Sequence, residues 1–251
     1  MNYHEFQQAV NVFQELIGYR FKTPKLLCTA LVHRSYLNEK HRYQDLTEHN
    51  ERLEFLGDAV AEIIVTNFLY LTFNEPEGFL TSLRAALVNY KNMGQAGLEI
   101  GLDELILISN GEKAELGKAR LSIVADAVEA VIGAIYLDGG YDQAKKFVDS
   151  YILNKLSGIL QNQSYKDNKT QLQEHTQKYL KQTPRYQITQ SEGKDHEKTF
   201  TIEVTVGGTR YGEGVGKSKQ DAELDAAGKA LSKLRESETE KLKQASFSVT
   251  D

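Results

Sequence analysis

The sequence predicts an all-α domain followed by a smaller α+β domain with the element order α-β-β-β-α. Apolar residues recur at spacings of three and four through almost all of residues 1–157, which is the period of helices packed on one face. A polar stretch without periodicity follows at 158–168, and from 169 to 236 the pattern alternates between helix and strand. Two different patterns on either side of a polar linker indicate two domains.

Each helical segment of the first domain repeats its apolar residues at the helical period, and glycine or proline separates most of the segments. The segments are "FQQAVNVFQELIGY", "KLLCTALVHRSYL", "ERLEFLGDAVAEIIVTNFLYLTF", "TSLRAALVNYKNMGQAGLEIG", "SIVADAVEAVIGAIYLDGG" and "YDQAKKFVDSYILNKL". No convincing strand-like alternation occurs among them, so this domain is predicted to be all α.

The second domain opens with the helical segment "KTQLQEHTQKYLK" and continues with the strand-like segments "RYQITQS" and "TFTIEVTVGGTRYGEGVG". Apolar residues alternate on one face of the second strand, at Phe200, Ile202, Val204 and Val206. The pair Gly207 and Gly208 is typical of a two-residue hairpin turn. The last helix carries a stripe of small and apolar residues, at Ala222, Ala226, Ala230 and Leu234. Residues 237–251 are polar and are predicted to form a frayed tail.

The charge distribution excludes a protein that coats nucleic acid as a polycation. The 251-residue chain has a net charge of −5 and a pI near 5.8. Residues 1–157 hold 15 Lys and Arg against 21 Asp and Glu, whereas residues 169–235 hold 12 against 9. Any contact with nucleic acid must therefore come from a local patch, and the asymmetry favours two domains with different partners.

Cysteine content and apolar runs predict a cytoplasmic protein without a membrane-spanning segment. The single Cys28 excludes an intramolecular disulfide and a cysteine-rich zinc site. The N-terminal "MNYHEFQQAV" lacks the features of a signal peptide. The longest apolar stretch, residues 121–137, is marginal in length for a bilayer and contains Asp126 and Glu129.

The stretch "NERLEFLGDAVAE" places acidic residues on one face of a predicted helix. With about 100° per residue and Glu51 at the origin, Glu54 falls near 300° and Asp58 near 340°. The apolar residues of this stretch lie roughly opposite, at Leu53, Leu56 and Val60. Such a face is either a solvated acidic surface or part of a site, and this helix alone does not decide between the two.

A second acidic pair favours a site. Asp126 and Glu129 lie one turn apart on a helix that is otherwise apolar nearly all round, which is typical of a buried helix. Carboxylates there face strong desolvation unless a cation compensates, and no Lys or Arg lies within the helix. A salt bridge to another helix is one alternative. A divalent-cation site is the other, and oxygen-only ligands suit Mg²⁺ and metal-assisted phosphodiester hydrolysis.

Two further residues of this domain carry alternative interpretations. His33 in "HRS" is interpreted as a structural hydrogen-bonding residue rather than a base, since no arrangement for covalent catalysis is legible. Phe55 falls near 40°, beside the acids and away from the apolar stripe. It either folds back onto its own domain or inserts into a second subunit across a two-fold interface, and we favour the interface.

These residues carry a family resemblance. "NERLEFLGDAV" is similar to the signature of bacterial ribonuclease III, a double-stranded-RNA endonuclease, and the similarity extends to "ALVHRS", "PEGFLTSLRAALV" and "ADAVEAVIGAIYLDGG". The α-β-β-β-α unit resembles a double-stranded-RNA-binding domain. The resemblance covers almost all of residues 1–235 and implies a ribonuclease III endonuclease domain followed by an RNA-binding domain.

The resemblance assigns roles to the acids. It implies metal ligands at Glu54, Asp126 and Glu129, with Mg²⁺ as the ion and Mn²⁺ as a substitute. Asp58 and Glu129 match residues of the catalytic step, and Glu51 and Glu77 match acids that border the site. Phe55 matches a residue that packs across the family's homodimer. That homodimer implies two active sites in one valley, and short duplex products with 5′-phosphates and a 3′ overhang.

The resemblance also assigns the RNA-binding surface, through minor-groove and phosphate contacts rather than base sequence. It implies contacts from Gln173, Glu174, Gln177, His196, Lys217, Ser218 and Lys219. The chain departs from the family pattern at Gln220, where a second lysine is usual, and losing one phosphate contact is expected to flatten the salt dependence of binding by about one unit.

The sequence is compatible with more than one function. The complete set of acids favours a Mg²⁺-dependent endonuclease of double-stranded RNA that processes ribosomal RNA precursors and messenger RNAs. A catalytically silent protein that binds double-stranded RNA is the alternative, although no acid of the set is replaced. A nuclease acting on DNA is a more distant option, which competition by duplex DNA would test.

Overall fold

The computed structural model describes residues 2–39, 43–114, 119–193 and 198–247. The chain divides into two compact units, Met1–Tyr165 and Lys166–Asp251. The described part of the first unit is helical, and the second unit has the order helix, three antiparallel strands and helix. The predicted fold class is therefore confirmed.

The described helices of the first unit are α1 (Tyr3–Leu16), α2 (Pro24–Ala30), α3 (Glu51–Thr72), α4 (Glu77–Val88), α5 (Tyr90–Glu99), α6 (Asn110–Ala114), α7 (Ala119–Gly139), α8 (Tyr141–Tyr151) and α9 (Leu156–Gln161). Short 3₁₀ segments at Arg34–Asn38, Leu102–Glu104 and Leu153–Lys155 connect some of them. Local chemistry explains their starts: α1, for example, begins with a capping box between Asn2 and Glu5.

The segment that the sequence analysis treats as one helical stretch after Pro76 is two helices. Asn89 has extended backbone dihedrals (φ −71°, ψ 157°), and its side chain accepts the backbone N–H of Asn92 at 3.0 Å. This N-cap ends α4 and starts α5. A single asparagine inside a regular apolar period gives little warning of such a break, because asparagine is also tolerated inside helices.

The core of the first unit is built around α7. Between residues 123 and 135 of this helix, Asp126 and Glu129 are half-buried and every other residue is buried. The neighbouring helices supply further fully buried side chains, such as Ile64 of α3 and Leu87 of α4. The prediction that α7 is apolar nearly all round is confirmed.

α3 and α7 touch through their backbones at two glycines. A Cβ added to Gly57 would lie 1.7 Å from the carbonyl oxygen of Glu129, and one added to Gly133 would lie 2.3 Å from the carbonyl oxygen of Leu53. No side chain fits between the helices at these positions. The helices therefore cross as closely as backbone atoms allow.

A second close crossing holds α7 from another side. A Cβ added to Gly94 of α5 would lie 2.4 Å from the carbonyl oxygen of Leu121, and one added to Gly97 would lie 2.4 Å from Cγ1 of Val124. Both contacts involve the first half of α7. The position of α7 is thus set by close packing against both α3 and α5.

By length and composition, α3 is the one helix within the described residues that could cross a membrane. Its apolar residues include Leu53, Val60 and Ile64, which are buried in the core of the unit. The core helix of a folded domain passes the same test of length and composition, so this property is weak evidence for a membrane span.

The first unit extends beyond residue 157, where the sequence analysis ends the first domain. α9 covers the beginning of the predicted linker, and Leu156 and Ile159 of this helix are buried. The ring of Tyr165 packs edge-on against that of Phe79, with centroids 5.2 Å apart. A six-residue helix with two buried side chains is too short to produce a recognisable period.

The second unit consists of α10 (Asn168–Tyr179), β1 (Arg185–Glu192), β2 (Thr199–Val206), β3 (Thr209–Gly216) and α11 (Lys219–Phe247). The strands form an antiparallel sheet in the order β1-β2-β3. Gly207 and Gly208 have φ values of +59° and +82°, as the two-residue turn between β2 and β3 requires. The backbone of α11 continues through much of the stretch predicted as a frayed tail.

Small residues let α11 lie directly on β3. A Cβ added to Gly212 would lie 2.5 Å from the carbonyl oxygen of Ala226, and one added to Gly214 would lie 2.2 Å from that of Ala222. The predicted stripe on α11 and the inward residues of β2 are buried in the same unit. The alternating glycines of "YGEGVG" thus serve helix packing, which the sequence analysis did not infer.

The crossing at Gly57 leads to a stability prediction. The substitution Gly57→Ala must push α3 and α7 apart, so it is expected to lower the free energy of unfolding by about 3 kcal/mol or more. Gly78→Ala is the matched control, because Gly78 lies in α4 with open space around it. The control is expected to be neutral or to stabilise by up to about 1 kcal/mol. Urea unfolding of both variants measures the difference, and equal stabilities would show that the crossing tolerates a methyl group.

Candidate active site and nucleic-acid interface

The crossing of α3 and α7 brings the two acidic pairs together. Glu54 and Asp58 flank Gly57 on α3, and the carbonyl of Glu129 lies against Gly57. Asp126 precedes Glu129 by almost one turn of α7. The side chains of the two pairs therefore project from one contact point between the helices, and we call these four residues the acid cluster.

Burial raises the pKa values of three members of the acid cluster, and repulsion by neighbouring carboxylates adds to the rise for two of them. For Glu129 the pKa rises to about 8, first because of burial and then because of the negative charges of Asp58, Asp126 and Glu54. The pKa of Glu54 is raised by burial and then by Asp126, Glu51 and Asp58. The pKa of Asp126 is raised by burial. Carboxylates from both helices thus act on one another electrostatically.

The four carboxylates of the acid cluster have no direct basic contact among the described residues, although the charges of Arg34 and His33 partly oppose the rise in the pKa of Asp126. Within the described residues, none of its four carboxylates forms an ion pair with Lys or Arg or accepts a hydrogen bond. Within the same ranges, no group of three or more His, Cys, Asp or Glu side chains is arranged closely enough to hold a metal ion. Half-buried oxygen ligands without a basic partner fit a hard divalent cation.

Glu51 lies at the edge of the acid cluster. It is exposed in the first turn of α3, and its Oε1 lies 3.3 Å from Nη1 of Arg34. Its other oxygen lies 3.8 Å from Nδ1 of His49. Glu51 also contributes to the raised pKa of Glu54, so it belongs to the same electrostatic neighbourhood.

Glu77 is not part of this neighbourhood in the structure of the single chain. It is exposed in the first turn of α4, and Oγ1 of Thr81 donates a hydrogen bond to it at 2.9 Å. It is not among the groups that raise the pKa of Glu54, Asp126 or Glu129. Glu62, the next acidic residue along α3, is exposed.

His33 caps the 3₁₀ segment Arg34–Asn38. Its Nδ1 accepts the backbone N–H of Ser35 at 3.3 Å and lies 2.8 Å from Oγ of Ser35. Burial lowers the pKa of the imidazole. A neutral histidine that accepts at Nδ1 carries its proton on Nε2, which fits the structural role favoured in the sequence analysis.

Phe55 is 82% exposed, so it does not fold back onto its own unit. A cavity of about 890 Å³ lies beside it. The cavity lining includes residues of α2, the start of α3 and the end of α7, among them Leu26, Thr29, His49, Arg52, Leu56 and Leu137. A protruding aromatic ring and a cavity with both apolar and charged lining residues therefore lie side by side on one surface.

The polar residues assigned to the RNA-binding helix lie on the surface of α10. Gln173, Glu174 and Gln177 are all exposed, and Nζ of Lys166 lies 2.5 Å from Oε2 of Glu174. Gln173 lines a shallow cavity of about 620 Å³ together with Lys219 and Gln220 of α11. The structure therefore brings part of the predicted surface of α10 next to the start of α11.

The start of α11 exposes Lys217 and Lys219 beside its N-cap. Ser218 Oγ accepts the backbone N–H of Asp221 at 3.0 Å, and the hydroxyl also donates to the Asp221 carboxylate at 2.7 Å. The Ser218 side chain is thus engaged in capping. His196 lies outside the residues that the structure describes.

Sequence reasoning missed two features of this site. Gly57 and Gly133 are needed for the helix crossing, and an isolated glycine inside a strong helical pattern is a signal for close packing. Arg34 lies beside Glu51, and nothing in the linear sequence indicates that residues 17 positions apart meet.

Comparisons with known proteins agree for both units. The ribonuclease-III-like family matches residues 23–156, and the double-stranded RNA binding motif matches residues 168–234. Ribonuclease 3 of Bdellovibrio bacteriovorus is 39% identical over 226 residues, which cover 89% of this chain and 95% of that protein. Ribonuclease 3 of Enterococcus faecalis is 43% identical over 229 residues, which cover 90% and 98%.

A solved structure matches the first unit. The nuclease domain of ribonuclease III from Campylobacter jejuni, described for flexibility in a region involved in dimer formation, is 40% identical with a TM-score of 0.51. The match covers 57% of this chain and 94% of that one.

The raised pKa of Glu129 gives the metal-free protein a specific pH dependence. In the folded state Glu129 keeps its proton up to a pH of about 8, whereas its ordinary pKa is 4.5. Between these values the folded state binds more protons than the unfolded chain. The free energy of unfolding is therefore expected to fall as the pH rises from about 5 to about 8, by roughly 1–4 kcal/mol.

Urea unfolding in EDTA at a series of pH values measures this effect. Glu129→Gln removes the titrating group, so the decline with pH should become shallower. Glu62→Gln on the exposed surface of α3 is the control and should keep the unsubstituted slope. The same decline in Glu129→Gln as in the control would mean that burial of Glu129 does not govern the pH dependence.

Proposed function

This chain belongs to the ribonuclease III family of endoribonucleases that act on double-stranded RNA, and we propose that it cleaves its RNA by Mg²⁺-dependent hydrolysis. The observation that supports this proposal is the acid cluster, in which carboxylates from two helices, three of them half-buried, repel one another and form no ion pair with any Lys or Arg that the structure describes. Retaining such a cluster costs stability. A bound divalent cation would offset the repulsion between the carboxylates, which would explain why the cluster is present.

Glu54, Asp126 and Glu129 would hold the cation, and Mn²⁺ would be able to replace Mg²⁺. When bound, the ion supplies a water of lowered pKa and stabilises charge on the phosphoryl oxygens. The carboxylates must lose their protons to bind it, so the raised pKa of Glu129 makes binding compete with protonation.

The remaining acids position the RNA and the water. Asp58 is exposed on the same face of α3 as Glu54, where its carboxylate would accept a proton from the attacking water or orient it. Glu51 at the edge of the cluster and Glu77 at the start of α4 would border the RNA rather than hold the ion. Glu129 would serve both in ion binding and in the hydrolytic step.

A homodimer would supply two such sites. Phe55 protrudes next to a cavity on one surface, and a two-fold axis through that surface would let each Phe55 enter the partner's cavity. With one site cutting each strand, the products would be short duplexes with 5′-phosphates and a 3′ overhang.

The second unit would supply most of the binding to the duplex. Gln173, Glu174 and Gln177 of α10 would contact one minor groove, and His196 would contact the next. Lys217, Ser218 and Lys219 would contact phosphates at the start of α11, where free backbone N–H groups already favour anions. Gln220 removes one positive charge from this surface, so binding should depend less on salt than with a lysine there.

The division of labour would follow the sequence domains, with residues 1–157 cutting and residues 169–236 binding. Structured transcripts in the cytoplasm, such as precursors of ribosomal RNA and messenger RNAs, would be the substrates. No step of this function calls for a membrane.

Cleavage of a long RNA duplex in Mg²⁺ tests the proposal. Glu129→Gln is expected to lower the cleavage rate by at least about 100-fold, because it removes a carboxylate from both ion binding and proton transfer. Binding of the same duplex is expected to persist, since it depends on the second unit. Gel analysis of products and a filter-binding assay measure the two quantities.

Glu62→Gln is the matched control for this experiment and should cut like the unsubstituted protein. An unsubstituted protein that binds the duplex and leaves it whole in Mg²⁺ and in Mn²⁺ would instead indicate the silent RNA-binding protein. Competition by duplex DNA separates both from a nuclease that acts on DNA.

The proposed dimer leads to a separate prediction. Phe55→Ala is expected to weaken self-association by about 30-fold or more, as removal of an aromatic side chain from the centre of an interface usually does. Val12→Ala is the control, because Val12 is 66% exposed on α1 and would lie outside the interface. Sedimentation equilibrium measures both, and equal dissociation constants would show that Phe55 does not hold subunits together.

A further inference from the structure

Arg34 is a cation at the rim of the acid cluster with a largely free guanidinium. Its side chain is 71% exposed, and its contact with Glu51 is a single one at 3.3 Å. An arginine carries five N–H donors. Most of the hydrogen-bonding capacity of Arg34 therefore faces solvent next to the candidate active site.

Arg34 lies at the edge of the acid cluster. Its Nη1 lies 3.3 Å from Oε1 of Glu51 in the first turn of α3. Glu51 precedes Glu54 by three residues, which is almost one turn of the helix. The contact therefore places the guanidinium beside the part of α3 that carries Glu54.

The backbone on both sides of Arg34 is held by a network of hydrogen bonds. The N–H of His33 donates to Leu107 O at 3.0 Å, and Ser35 Oγ accepts the N–H of Ser109 at 3.0 Å. The N–H of Asn50, the residue before α3, donates to Val32 O at 2.9 Å. The segment that carries Arg34 is thereby tied to the start of the helix that carries Glu51 and Glu54.

The chemistry of RNA explains why a cation would be needed beside the acid cluster. RNA is a polyanion, and the acid cluster repels its backbone. A guanidinium binds a phosphate through two parallel hydrogen bonds, which is stronger than a single contact to an exposed carboxylate. Exposed ion pairs contribute little free energy, so Arg34 can exchange its contact with Glu51 for one with a phosphate at little cost.

We propose that Arg34 binds a backbone phosphate of the RNA strand at the rim of the acid cluster, and that it exchanges Glu51 for this phosphate when the duplex enters. The inference rests on the proposed function for the identity of the ligand. Arg34 is then an RNA-binding residue of the first unit, in addition to the contacts assigned to the second.

Salt-dependent binding of a short RNA duplex to the full-length protein tests this proposal. All variants carry Glu129→Gln, so the RNA stays whole during the measurement. Arg34→Gln is expected to raise the dissociation constant about 10-fold. It should also reduce the slope of log affinity against log salt by about one unit for each Arg34 that contacts the duplex. Arg34→Lys keeps the positive charge but removes the planar guanidinium with its paired N–H donors. This variant should retain the salt slope and bind the duplex more weakly.

Arg20→Gln is the matched control. The Arg20 side chain is 82% exposed, and its Nη2 lies 3.8 Å from Oε1 of Glu15, so its contact with a carboxylate is similarly weak. The Arg20→Gln substitution should leave both the affinity for the duplex and the salt slope unchanged. Melting temperatures of all variants verify that each protein is folded.

Two results would overturn the proposal. The first is an Arg34→Gln variant with the same salt slope as Arg20→Gln. The second is full recovery of affinity and slope when Glu51→Gln is added to Arg34→Gln, which would mean that Arg34 only neutralises Glu51. Failure of the unsubstituted protein to cut RNA would count against the proposed function alone, because the slope is measured without cleavage.

Discussion

The candidate active site depends on the backbone contact between α3 and α7. Two helices with ordinary side chains between them lie 8–10 Å apart, roughly, from axis to axis. Glycine at positions 57 and 133 removes those side chains, and the Glu129 carbonyl then lies directly against Gly57. Residues next to the contact, such as Glu54 and Asp126, are consequently close enough to repel one another. With larger residues at the crossing, the same acids would be two separate pairs.

This arrangement works against stability, and the core of the first unit must compensate. Burial and repulsion raise the pKa of Glu129 to about 8, which means that its ionised form is disfavoured in the folded protein. Each fully buried aliphatic side chain contributes roughly 1.5–3 kcal/mol. α7 buries several of them between and beyond its two acids, including Val128, Val131 and Ile132. The helix that carries the destabilising carboxylates therefore also contributes many buried side chains to the core.

Much of the architecture could be predicted because period and patterning are local properties. The angular positions of Glu54 and Asp58 and the apolar character of α7 follow from counting residues along one helix. The break at Asn89 could not be predicted in this way, since it depends on one side chain capping its own backbone. Nor could the Arg34–Glu51 contact, because pairing between segments requires the tertiary structure. The roles of individual acids come from the family resemblance, because angular position on a helix does not distinguish a metal ligand from a neighbouring carboxylate.

The distribution of charge explains why one chain needs both units. Residues 1–157 carry a net negative charge, and the acid cluster holds part of it. Coulomb repulsion between such a surface and RNA falls off within about 10 Å at ordinary salt. The second unit has a net positive charge and can attract the duplex, whereas binding of a phosphate at the acid cluster would require cations at that site. A divalent ion within the cluster and the Arg34 guanidinium at its rim would meet that requirement.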